Sequence, residues 1–137
     1  MKRSVAREKV FKIIFQYEFH DDFEQIYPRL IREEELRGVQ GEYAENTIGQ
    51  ILACMKDIDE LINANLKGWA FDRLSKQVTA VLRLGIYELC FNSQIPDVTA
   101  VDEAVKLAYI YCDDKESVFV NGLLHKILHS DDSSAQT

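Results

Sequence analysis

An all-α fold of six or seven helices, arranged as two small packed helical bundles (residues 1–66 and 67–130), is predicted by three features of the 137-residue sequence. Glycine and proline are scarce, at six and two residues, which disfavours a turn-rich all-β chain. Apolar residues recur at helical spacing, most clearly at Ile48, Ile51, Leu52, Met55, Ile58, Leu61 and Ile62, an i, i+3, i+4, i+7 series longer than two heptads. Hydrophobic residues at 47 % against 28 % charged match a chain that buries a core, in the length range of one domain or of two subdomains sharing a core.

The elements follow in order. Ser4 is the expected N-cap of a first helix with Val10, Ile13, Ile14 and Tyr17 on its inner face. Asp21-Asp22 interrupts it and caps a second helix bearing Phe23, Ile26, Tyr27, Leu30 and Ile31, with Pro28 either in an early turn or at a kink. Gly38 and Gly41 mark a loop, and the long periodic helix starts near Glu42. After a break at Gly68, Trp69 and Phe71, Ser75 caps a fourth helix with Val78, Val81, Leu82, Ile86 and Leu89, which ends near Asn92-Ser93 before Ile95-Pro96. Thr99 with Asp102 or Glu103 resembles a capping box for a fifth helix carrying Val101, Ala104, Val105 and Ala108. Asp113-Asp114 ends that helix, and a sixth runs from about Glu116 to Leu128. Residues 131–137 are polar with nothing to bury and are expected to form a disordered tail.

Composition excludes several functions. No run of about 18 apolar residues exists for a membrane span, and Lys12 and Gln16 break any leader-like apolar stretch. Cys54, Cys90 and Cys112 are odd in number and widely spaced, which fits neither a disulfide framework nor a zinc motif, so a reduced cytoplasm is the expected compartment. No G-x-S-x-G is present, and Gly38-x-x-Gly41 lacks the Lys and Ser/Thr of a phosphate loop. His125 and His129, with Asp131 following, read as surface histidines because H-E-x-x-H is absent. Catalytic residues, a cofactor and a bound metal are therefore not expected.

Charge and aromatic placement point elsewhere. Residues 1–20 hold Lys2, Arg3, Arg7, Lys9 and Lys12 against Glu8 and Glu18, a net of +3, which leaves −10 on residues 21–137 of a chain at −7. Phe11, Phe15, Tyr17 and Phe19 fall in the same basic segment, with Phe11 and Phe15 on one side near Arg7 and Lys12. Cations for phosphates beside flat faces for unstacked bases suit single-stranded nucleic acid. A solvated basic face, with Phe11 and Phe15 in the core, is the alternative left open.

Further on, Phe71-x-Arg73-Leu74, Leu82-Arg83-Leu84-x-Ile86-Tyr87-Glu88-Leu89, Ile95-Pro96, Val101-Asp102-Glu103-Ala104-Val105-x-Leu107-Ala108 and Phe119-Val120-Asn121-Gly122-Leu123-Leu124 stand in that order. With Ala6-Arg7-Glu8 and Phe15-Gln16-Tyr17-Glu18 at the front, the chain resembles the NusB family of bacterial transcription antitermination factors over residues 2–128. Physical roles accompany some of these residues. Gly122 inside a helix suggests a close helix crossing, and Asn121 can bond a neighbouring loop. Arg83 and Glu88 are too far round the helix for a direct pair, and Arg73 is either exposed or bridging.

The resemblance implies two helical bundles, no catalytic activity, and binding of boxA-like single-stranded RNA from ribosomal leader transcripts. It implies that this happens together with the small-subunit ribosomal protein NusE, inside an RNA polymerase antitermination complex. It places RNA contacts at Lys2, Arg3, Arg7, Lys12 and Phe15, with Arg83 and Phe119 as additional contributors. Close relatives often carry adjacent arginines before Ala-Arg-Glu, whereas here Ser4 and Val5 follow Arg3. With roughly three to five phosphates neutralised, the isolated chain should bind RNA modestly. Greater dependence on the partner, or a homodimer that hides the RNA surface, would follow. A helical protein-interaction module without direct RNA binding is the alternative reading. The related domain fused to RNA methyltransferases is excluded by length.

Overall fold

A computed structural model describes residues 1–68 and 70–135, with 131–135 as backbone. Among these residues the chain forms six α-helices: α1 Arg3–Phe15, α2 Phe23–Glu33, α3 Gly38–Ala64, α4 Lys76–Ile86, α5 Asp97–Tyr111 and α6 Asp114–Ala135. Short 3₁₀ turns follow α1 (Gln16–Phe19) and precede α4 (Phe71–Arg73), and α4 widens into a π-helical turn at Tyr87–Phe91. The chain packs as two units, Met1–Cys54 and a second from Met55 onward, so the division falls inside α3 and not at residue 66.

In the first unit, α1 packs on α2. Ala6, Val10, Phe11, Ile13 and Ile14 are all buried, a face wider than the expected stripe and one that takes in Phe11. Phe11 is therefore a core residue. Ser4 lies within α1; Lys2 holds the N-cap position and makes no side-chain cap. Asp22 does occupy the N-cap of α2, but only its backbone carbonyl is used, accepting from the amides of Gln25 and Ile26. Pro28 sits in the second turn of α2, so the Glu24 carbonyl lacks its helical donor there. The end of α2 is a Schellman motif. Leu36 N–H donates to Ile31 O and Glu35 N–H to Arg32 O, with Glu35 left-handed at φ 60° and Leu36 buried against the helix end. The loop thus lies before Gly38, and α3 starts four residues earlier than Glu42.

In the second unit α4 is the centre, with every residue from Val78 to Leu89 buried, and it packs on α5 and α6. Ser75 caps it as expected, its Oγ accepting from Val78 N–H at 3.1 Å. A Cβ on Gly85 would lie 2.9 Å from the Cβ of Ala104 on α5, so this glycine, not Gly122, permits the close crossing. Gly122 is exposed and faces open space. Asn121 beside it is also exposed. Pro96 precedes α5 at the N-cap position, which puts Thr99 inside the first turn and removes the expected capping box. The true box is one helix later. Glu116 N–H donates to Asp113 Oδ1 at 2.7 Å and Asp113 N–H to Glu116 Oε1 at 3.0 Å. With that cap α6 continues past Leu128 to Ala135; Trp69 in the expected break, and Gln136 and Thr137 of the expected tail, lie outside the described residues.

Candidate nucleic-acid interface

The basic segment sits on the first unit, where its charges divide between surface and interior. Lys2, Arg3 and Lys12 are exposed. The start of α1 is tied to α3: Gln40 Nε2 donates to the Met1 carbonyl at 3.1 Å, and the Arg3 guanidinium lies 4.0 Å over the Tyr43 ring. That stacking holds a cation at the surface in a fixed orientation. Lys9 is committed elsewhere, its Nζ donating to the Glu34 carbonyl at 2.6 Å, where it caps the C-terminal end of α2. Arg7 is buried at 7 % exposure.

Aromatic rings run outward from the core at the end of the same helix. Phe11 in the core is followed by half-buried Phe15 (centroids 6.5 Å apart) and then by Phe19, 5.2 Å further on and 54 % exposed. The spacing arises because α1 tightens into a 3₁₀ turn after Phe15, which swings Phe19 back against it. Phe15 closes α1 as a half-buried residue, its ring set between those of Phe11 and Phe19. Tyr17 turns away and meets Phe23 edge-on at 5.4 Å.

The second unit treats its two candidates differently. Arg83 is 4 % exposed. Its Nε and one Nη donate to the two oxygens of Asp59, each at 3.0 Å, a bidentate pair inside the unit. The partner is Asp59, not Glu88. Phe119 is half-buried in the wall of a cavity of about 240 Å³ lined also by Arg73, Leu74, Ser75, Val78, Lys115 and Glu116. Arg73 and Lys115 are exposed at this cavity. Nothing local in the sequence joins them, since they stand on elements before α4 and at the start of α6.

Other reactive groups do not assemble. Burial pushes the Cys112 thiol up to about 11, with the Glu116 and Asp113 carboxylates adding to the effect, so it stays protonated near neutral pH. His125 and His129 stack on the surface of α6 with centroids 6.1 Å apart. Among the described residues no cluster of three or more His, Cys, Asp or Glu could hold a metal ion, and no helix is long and apolar enough to cross a membrane.

The fold defines the class: an all-α protein of six helices among the described residues. Known proteins give the family. The NusB family pattern matches residues 4–129. The transcription antitermination protein NusB of Listeria monocytogenes is 35 % identical over 132 residues, covering 96 % of this chain and 99 % of that one. The NusB of Agathobacter rectalis is 37 % identical over 129 residues, with 92 % and 98 % covered. Among solved structures, T. maritima NusB superposes with a TM-score of 0.81 at 37 % identity, covering 93 % of this chain and 92 % of that one. A structure of the antitermination factors NusB and NusE in complex with dsRNA matches with a TM-score of 0.83 at 25 % identity, covering 93 % and 96 %. The chain belongs to the NusB family, and it is a transcription antitermination protein and not an enzyme.

Proposed function

We propose that this chain binds boxA-like single-stranded RNA jointly with NusE, within a cytoplasmic RNA polymerase antitermination complex. The observation that carries the reading is the exposure of Lys2, Arg3 and Lys12 at the start of and along α1, with half-buried Phe15 at its end, on a chain whose net charge is otherwise strongly negative. Three cations and one stacking face are a sparse RNA surface, and a half-open aromatic ring suits an unpaired base better than a duplex. The solved complex of a related NusB with NusE and dsRNA supports NusE and RNA as partners. Phe119, in the second unit, is a separate candidate contact carried over from the family resemblance. Arg7 and Arg83 are assigned to the interior: their burial makes them supports of the fold and not phosphate ligands.

A protein partner is favoured independently by the second unit, where Val98, Tyr109, Ile110 and Val118 on α5 and α6 are large, apolar and exposed. NusE on an acidic body relieves repulsion of the RNA and adds cations. The two ligands should then couple positively by about 1–3 kcal/mol, reciprocally, and less at high salt. The test is a cycle: RNA affinity with and without NusE, and NusE affinity with and without RNA, at two salt concentrations. Equal RNA affinity in both arms at low salt would refute joint binding, and no RNA binding in either arm would leave a protein-interaction module or homodimer.

A further inference from the structure

The start of the chain is held from α3 by two contacts of different kinds. Lys2 stands at the N-cap of α1 without a side-chain cap, so the first turn gains no such anchor of its own. Gln40 supplies one from outside, donating from Nε2 to the Met1 carbonyl at 3.1 Å. Tyr43 supplies the other, its ring centre 4.0 Å from the Arg3 guanidinium carbon. At i and i+3 of α3 the two side chains are neighbours on one face of the helix. Both are half-buried, whereas Arg3 is exposed. A ring face attracts a cation but leaves its charge uncompensated, so the guanidinium keeps for a phosphate the donors that a carboxylate partner would occupy. An arginine ordered only by its ligand loses rotamer freedom on binding. One already seated on a ring has given up much of that freedom in the free protein.

We propose that Tyr43 is a positioning residue for RNA binding: its ring, with Gln40 fixing the backbone ahead of Arg3, presents the Arg3 guanidinium to an RNA phosphate in a preset orientation. The inference rests on the RNA-binding reading above and gives α3 a part in it that requires no contact with the RNA itself.

The experiment is a double-mutant cycle on the full chain, read as the affinity of a short boxA-like single-stranded RNA over a salt series with NusE saturating. Tyr43→Leu, which keeps an apolar filling and loses the ring face, should bind RNA about 2- to 10-fold more weakly, the range expected for leaving one long side chain to be ordered on binding. Its salt slope should match the parent, because the Arg3 charge is still present. Tyr43→Phe keeps the ring face and should bind like the parent. Arg3→Gln should lose affinity and also lower the magnitude of the slope by about 0.7. In the Arg3→Gln background, Tyr43→Leu should cost no further affinity, since the ring acts only through that guanidinium. A merely structural Tyr43 gives the opposite result, an equal loss in both backgrounds, which overturns the proposal. Gln40→Leu frees the Met1 carbonyl with the ring in place and gives a readout even where Tyr43→Leu disturbs folding. It too should weaken RNA binding with the slope kept, and an unchanged affinity overturns the seat on α3. Weaker binding in Arg3→Gln with none in Tyr43→Leu overturns the positioning role alone. Unchanged affinity and slope in Arg3→Gln overturn RNA contact at Arg3 and the positioning role with it, so the two failures are distinguishable.

Discussion

Replacing Arg83 with methionine separates a structural from an RNA-binding role for the buried arginine. The Arg83 side chain is 5 % exposed and that of Asp59 30 %, and the variant removes two charge-assisted hydrogen bonds of 3.0 Å while keeping the aliphatic stem packed. Breaking a fully buried pair costs about 3–5 kcal/mol because the remaining charge is stranded. Asp59 reaches some water, so the loss here should be about 2–4 kcal/mol. For a chain of this length that is a fall in Tm of about 10 °C. Urea denaturation should show a lower midpoint with an unchanged slope. Adding Asp59→Asn should recover part of the loss, by at least about 1 kcal/mol relative to additivity, since the stranded carboxylate is gone. RNA binding, measured at a temperature where the variant is folded, should keep its salt dependence. A loss below about 0.5 kcal/mol combined with a shallower salt slope would show that Arg83 contacts RNA and that the pair with Asp59 is incidental.

The two glycines should respond in opposite directions. Gly85→Ala forces a Cβ to within 2.9 Å of Ala104 and should destabilise the fold by about 1–2 kcal/mol, whereas Gly122→Ala, in open space on α6, should stabilise it by about 0.5–1 kcal/mol; thermal melts of both check this. Glu35→Gly relieves a left-handed conformation in the Schellman motif after α2 and should gain about 0.5–1 kcal/mol once the looser unfolded chain is counted, with a loss overturning the assignment. Cys112, with its thiol raised to about 11, should alkylate with a pH profile that rises toward pH 11; because the folded chain favours the protonated thiol, its contribution to stability should diminish as pH climbs from 9 to 11. Mass-spectrometric labelling of that peptide at a series of pH values reads the first effect, and a midpoint at or below 9 would contradict it.

Legibility in the sequence followed how local each interaction is. Ser75 was readable because a cap needs only its own helix start, and the Ile48–Ile62 series because a buried stripe repeats along one element. The same locality misled at α5, where Pro96 sets the helix start and so moves Thr99 inside it, and at α6, where Asp113 was read as a stop although it and Glu116 form the box. Which glycine meets a neighbouring helix depends on the face it occupies after packing; Gly122 stood in the more distinctive motif, yet Gly85 lies at the crossing. Arg83 looked available because its partner Asp59 lies 24 residues away in sequence. Arg73 and Lys115 were invisible as a pair for the same reason, while Phe119 was reached only through its family motif. On α1 the charge and aromatic counts were legible, but not their division: Phe11 and Arg7 went inward, Lys9 went to the end of α2, and Lys2, Arg3 and Lys12 stayed at the surface.

The central claim, that RNA is held by the exposed basic side chains in the first turns of the chain and along α1, is tested most directly by the salt dependence of boxA-like RNA binding in a Lys2→Gln, Arg3→Gln, Lys12→Gln triple variant with NusE present. All three side chains are exposed, so the fold should be nearly unaffected and Tm should move little. Each lost phosphate contact lowers the magnitude of the slope of log affinity against log salt by about 0.7, so the variant should be shallower by about 2 and bind far more weakly at low salt. A variant that melts like the parent and keeps its affinity and slope across the salt series would place the RNA elsewhere on the molecule.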